Sequence, residues 1–131
     1  MSLKTSLKPN SEQPRQHHQR NMTKVTIDNT SYIHSFLCVG HAGYAEHGQD
    51  IVCASASILA YTLIQAIQNM AVDGKLVGID NVSAQGGRAS ISCIPKDEHK
   101  QEVFDIFSTV QVGYELLAQQ YPQYVELNVI D

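Results

Sequence analysis

The 131 residues, 43% of them hydrophobic and 17% charged, are enough for one compact domain with a buried core and leave little room for a second. Nine basic against thirteen acidic side chains give a net charge of −4, which excludes a broad electrostatic hold on nucleic acid and predicts no direct nucleic-acid partner. Three cysteines, an odd number at irregular spacing and without a secretory leader, argue against a disulfide framework and fit a reducing cytoplasm.

Residues 1–21, MSLKTSLKPNSEQPRQHHQRN, hold too few apolar side chains to offset the entropy of ordering, so a disordered N-terminal extension is expected, with the folded domain spanning 22–131. Val25 and Ile27 alternate with Lys24 and Thr26, which predicts a strand from Met22 to Asp28. Asn29-Thr30 supplies a turn into a second strand, Tyr32 to Val39, and the two make a hairpin. Within it Cys38 reads as a small buried residue and His34 as a solvated or core-edge one.

From Asp50 to Ala71, apolar residues recur at three and four positions through Val52, Ala56, Leu59, Leu63, Ile67 and Met70, the mark of a helix with one core face. Ser55, Ser57, Thr62, Gln65, Gln68 and Asn69 interrupt it, so an amphipathic helix is expected and no membrane span. Asp73-Gly74 closes it. Strands Leu76 to Ala84 and Arg88 to Ile94 follow, joined at Gln85-Gly86-Gly87, where the paired glycines permit positive φ. Cys93 takes the same packed reading as Cys38. After Pro95, Asp97 is a candidate N-cap for a second helix carrying Val103, Phe107, Val110, Tyr114 and Leu117, which Pro122 stops. Val125, Leu127 and Val129 then alternate with polar partners in a last strand. The order ββαββαβ predicts an α+β domain, two helices packed on a mostly antiparallel sheet of about five strands. No internal repeat, phosphate loop or zinc-finger spacing is present.

Chemistry concentrates in GHAGYAEHGQDIVCASAS, Gly40 to Ser57. Asp50 precedes the periodic run and reads as the N-cap, which puts Cys53 in the first helical turn. Unpaired N–H groups and the helix dipole there favour a thiolate, so a lowered cysteine pKa is expected. His41, twelve residues upstream at the end of a strand, is placed to fold back as its base. The small residues after Cys53 let a substrate approach closely, and the Cys53 amide is the natural oxyanion donor. Three competing readings stand beside this one: a packed cysteine in a non-catalytic binding module, a thiol redox sensor, and a metal site using His41, His47, Asp50 and Cys53. The metal reading lacks any close ligand pair, and neither metal nor cofactor is expected. Asp50 has two readings as well, helix cap or orienter of His41; a free carboxylate beside Cys53 would raise the thiol pKa, which favours the cap. The loop from Gly40 to Gln49, with three glycines and no apolar periodicity, is expected to act as a mobile lid that brings Tyr44 and Glu46 onto a bound peptide.

The same stretch resembles the signature of the ribosomal-processing cysteine protease family, Prp, which reads close to G-H-A-x-Y-A-x-x-G-x-D-I-V-C-A-x-x-S. With QQYPQYVEL near the end, the resemblance spans Met22 to the C-terminus. It implies a catalytic His41, a nucleophilic Cys53, and supporting roles for Asp50 and Ser57, all within the stretch that begins at Gly40. It further implies a cytoplasmic, homodimeric endopeptidase that removes a short N-terminal extension from the precursor of a large-subunit ribosomal protein.

Overall fold

The computed structural model describes residues 22–46 and 50–131; the extension at 1–21, together with His47, Gly48 and Gln49, lies outside them. The described residues form β1 (Thr23–Asp28), β2 (His34–Val39), α1 (Ile51–Val72), β3 (Leu76–Gln85), β4 (Arg88–Pro95), α2 (Lys100–Gln120) and β5 (Val125–Ile130). One five-stranded sheet runs in the order β3-β4-β2-β1-β5. Three of its pairings are antiparallel, while β5 lies parallel to β1, with Thr23 opposite Val125 and Val25 opposite Leu127. The mixed sheet follows from α2, which carries the chain from β4 at one side across to the free edge of β1.

Because side chains alternate across a strand, the register stacks apolar rows on one sheet face. Val25 stands opposite Cys38, and Cys38 opposite Ala89; Ile27 stands opposite Phe36, and Phe36 opposite Ile91. Both helices cover that face, α1 through Val52, Ala56, Ala60, Leu63, Ile67 and Met70, and α2 through Val103, Phe107, Val110, Tyr114 and Leu117. By length and composition α1 is apolar enough to cross a membrane; part of that apolarity forms this core face, and Ile51, Ile58 and Tyr61 remain exposed. The helices approach closely because residue 113 is glycine: a Cβ there would meet Leu59 Cδ2 at 2.6 Å. The Tyr114 hydroxyl donates to the Ala56 carbonyl at 2.7 Å, which satisfies the one polar atom this aromatic brings into the core.

Three local expectations are corrected. The second strand starts at His34, because Tyr32 and Ile33 face solvent in a longer connection whose Ser31 hydroxyl donates to the Ile33 carbonyl. His34 is buried, so the solvated reading fails; its ring packs on Phe107, and its Nδ1 meets Asn29 Oδ1 at 2.6 Å. Asp97 does not cap α2 but opens a 3-10 turn, Asp97–His99, that leads into it. Cys38 and Cys93 are buried free thiols, and Asp73-Gly74 ends α1 with Gly74 at φ +74°.

Candidate active site

Asp50 is the fixed point of the site. Its Oδ1 accepts the N–H groups of Val52 and Cys53, each at 2.9 Å, and so caps α1. Its Oδ2 accepts the N–H groups of Tyr44 at 2.8 Å and Ala45 at 3.3 Å, and so ties the glycine-bearing loop to the helix start. Four donors match the lone-pair sites of a carboxylate, which supports the cap reading over that of an orienter for His41. Burial works against the charge on Asp50, but the backbone N–H groups of Cys53, Ala45 and Tyr44 outweigh it and hold the carboxyl below its usual range.

Cys53 is the third residue of α1 and half-buried. The Ala42 N–H donates to its Sγ at 3.1 Å, and Ala42 is wholly buried, so the sulfur is held against the loop. The expected lowering of its pKa does not occur. Burial pushes the thiol up and the Asp50 carboxylate adds to that, while the Ala42 and Gly43 amides pull down without prevailing. The Cys53 amide, expected as the oxyanion donor, is engaged by Asp50. The amides of Ala42 and Gly43 are the ones directed at the sulfur.

Gly40 sets His41. Its φ of +94° suits glycine, and a Cβ would lie 2.4 Å from the Met22 carbonyl oxygen, so no side chain fits where the chain leaves β2. Its N–H donates to the Gly87 carbonyl at 2.9 Å, which joins the loop to the β3–β4 turn. His41 is exposed, and its imidazole lies against Gly87.

His41, Cys53, Asp50, Gly40 and Ser57 line one cleft of about 530 Å³. Ser57, one turn beyond Cys53, is half-buried at its wall. Cys38, Ala56, Ala60 and Ala89 leave the interior small-sided and mostly apolar, which suits an extended chain with a bulky side group. Two expected contributors stand elsewhere. The Tyr44 ring packs edge-on against Tyr121 and Tyr124, with centroids 5.4 and 5.3 Å apart, and Glu46 is exposed outside the cleft walls. Ala42 is buried and Asp50 holds the amides of Tyr44 and Ala45, so the start of the expected lid is tied to the domain at these points. The rest of the loop to Gln49 lies outside the described residues. Among those described, no group of three or more His, Cys, Asp or Glu side chains is arranged to hold a metal ion.

Sequence reasoning missed the other wall, Gln85, Gly86, Gly87 and Arg88, along with Thr23 and Tyr61. The paired glycines were legible only as a turn, because what faces a hairpin tip depends on strand order.

The family model described as cysteine protease Prp matches residues 22–126. A Staphylococcus aureus protein named ribosomal processing cysteine protease Prp is 26% identical over 104 residues, 79% of this chain and 93% of that protein. A Bacillus subtilis protein of the same name is 46% identical over 33 residues, 25% of this chain and 30% of that protein. The S. aureus protease solved with a covalently linked product peptide superposes with a TM-score of 0.64 at 27% identity, covering 83% of this chain and all of that one. A Streptococcus mutans structure gives 0.60 at 25% identity, covering 84% of this chain and 95% of that one.

Proposed function

The chain belongs to the cysteine protease Prp family, and from that premise we propose that it removes a short N-terminal extension from the precursor of a large-subunit ribosomal protein, with Cys53 as nucleophile and His41 as general base. The observation that carries the assignment of residues is the shared cleft: a cysteine in the first turn of α1, two loop amides aimed at its sulfur, and a histidine lining the same cleft. The relative crystallised with a covalently linked product peptide supports covalent catalysis on a peptide substrate.

The raised thiol pKa shapes the mechanism. Cys53 rests as a thiol, and His41 takes its proton as the sulfur attacks the scissile carbonyl. The negative charge that develops on the carbonyl oxygen is met by the Ala42 and Gly43 amides, which lie beside the sulfur and so beside the carbon it bonds. The His41 imidazolium then protonates the leaving amine. Water, deprotonated by His41, cleaves the thioester and restores the thiol. Asp50 holds these parts in register by binding the loop and the helix start at once, and the Ser57 hydroxyl is placed to hydrogen-bond the bound peptide.

We propose further that residues 22–131 act as one protease domain in the cytoplasm and pair as a homodimer. Exposed apolar side chains on the helices, Ile58 and Tyr61 on α1 and Val112 and Leu116 on α2, support a second copy as their cover. Light scattering of the purified chain is expected to give twice the monomer mass; a monomer mass at micromolar concentration would contradict it. The catalytic assignment is tested by His41→Ala and Cys53→Ala on a peptide spanning the precursor's cleavage site. Both are expected to lose turnover, and cleavage by either near the wild-type rate would refute the role given to that residue.

A further inference from the structure

The two glycines of the β3–β4 turn are not equivalent. Gly87 has a φ of +82°, and a Cβ added to it would lie 3.0 Å from His41 Nε2, 3.5 Å from Cε1 and 3.7 Å from Cδ2. At Gly86 an added Cβ would meet nothing within 4 Å, and its φ is not positive. The Gly87 carbonyl also accepts the N–H of Gly40, the residue just before His41, at 2.9 Å. One residue of the turn thus touches the imidazole and anchors the backbone from which it springs. Gln85 and Arg88 beside it line the cleft, so the turn is a wall of the site as well as a chain reversal.

We propose that Gly87 is a positioning residue for His41: its missing side chain leaves the space that the imidazole occupies at the cleft it shares with Cys53. The proposal rests on the reading of His41 as the base. A hairpin turn with positive φ accepts asparagine, which tolerates the left-handed region better than other side chains, whereas the ring contact takes any Cβ only by shifting the imidazole a few tenths of an ångström. The two demands on residue 87 are therefore separable. His41 is exposed, so a Cβ at 87 shifts the ring without disturbing the buried core. The consequence falls on the rate and spares the fold: misplacing a catalytic group by about 1 Å costs up to roughly a hundredfold, so a shift of a few tenths of an ångström should cost several-fold.

The test uses the full chain and a peptide spanning the precursor's cleavage site, with Gly87→Ala, Gly87→Asn, Gly74→Ala and His41→Ala compared for kcat, KM and melting temperature. Both residue-87 variants are expected to lose about three- to tenfold in kcat with little change in KM, the split that marks a transition-state defect. Gly87→Asn should melt closer to wild type than Gly87→Ala without regaining kcat, and Gly74→Ala, at a φ of +74° with nothing within 4 Å of an added Cβ, should melt lower yet keep the wild-type kcat. A fully active Gly87→Asn, or an equal loss of kcat in Gly74→Ala, would show a backbone requirement only and overturn the proposal. Unfolding of both residue-87 variants would overturn it as well, because the exposed ring should yield before the fold does. If His41→Ala cleaves normally, the base assignment fails and the proposal with it; an inactive His41→Ala beside a fully active Gly87→Asn refutes the positioning alone.

Discussion

Cys53 is pulled in opposite directions by groups within a few residues of it. A helix N-terminus favours a thiolate, but here its first amides are occupied by the Asp50 carboxylate, which replaces their positive end with a negative charge next to the sulfur. Burial adds to the same side, so the resting thiol titrates above its ordinary value. Iodoacetamide should therefore modify Cys53 slowly at pH 7 and faster as the pH rises, with a midpoint above that of a free thiol; a midpoint below pH 7 would contradict this. Asp50→Ala should remove the cap and the loop tether together, at a cost of about 1–2 kcal/mol for the cap alone, with a severe loss of turnover. The folded pKa of Asp50 lies below its unfolded value, so its charge contributes stability that is complete above about pH 5 and lost as the pH falls through the folded pKa. In denaturant titrations the wild type should lose stability as the pH falls below about 5, and Asp50→Ala should lose less over the same range; an equal or larger loss in the variant would contradict this sign. Gly40→Ala meets both a positive φ and the Met22 carbonyl, and should destabilise the domain by at least about 2 kcal/mol in a denaturant titration.

At the scale of elements, the β1–β2 connection is locked to α2 by a short polar chain. Asn29 Nδ2 donates to the Phe104 carbonyl and to Ser108 Oγ, both at 3.1 Å, which turns Oδ1 toward His34 and places a proton on His34 Nδ1. Burial lowers the His34 pKa and the nearby Asp28 carboxylate opposes it without winning. A histidine kept neutral in the fold contributes stability above its unfolded pKa of about 6.5 and loses it as the pH falls toward the folded value. The melting temperature should therefore drop between pH 7.5 and 5.5, and His34→Gln should flatten that drop; an unchanged slope would contradict the assignment. The helix pair depends on Gly113 in a different way. Gly113→Val pushes a branched side chain into Leu59 and should cost about 1–3 kcal/mol, read by thermal melting.

At the scale of the molecule, what the sequence disclosed and what it withheld divide along the range of the interactions. Apolar alternation in β1 and β2, helical spacing in α1 and α2, and turn residues between them act over a few positions, and the order ββαββαβ with its two hairpins could be read from them. Asp50 as cap and Cys53 in the first turn were legible for the same reason. The parallel pairing of β5 with β1 was not, because it depends on where α2 delivers the chain. The docking of Tyr44 on Tyr121 and Tyr124, and of Gly87 under His41, joins segments dozens of residues apart and leaves no local pattern. The raised pKa of Cys53 was hidden similarly, since it turns on burial and on which amides Asp50 occupies. The most direct measurement is the intact mass of the precursor ribosomal protein after incubation with the full chain. The wild type should give one product shortened at its N-terminus and Cys53→Ala, folded with an unchanged circular dichroism spectrum, should leave the precursor whole; the same shortened product from Cys53→Ala, or an untouched precursor with the wild type, would contradict the account.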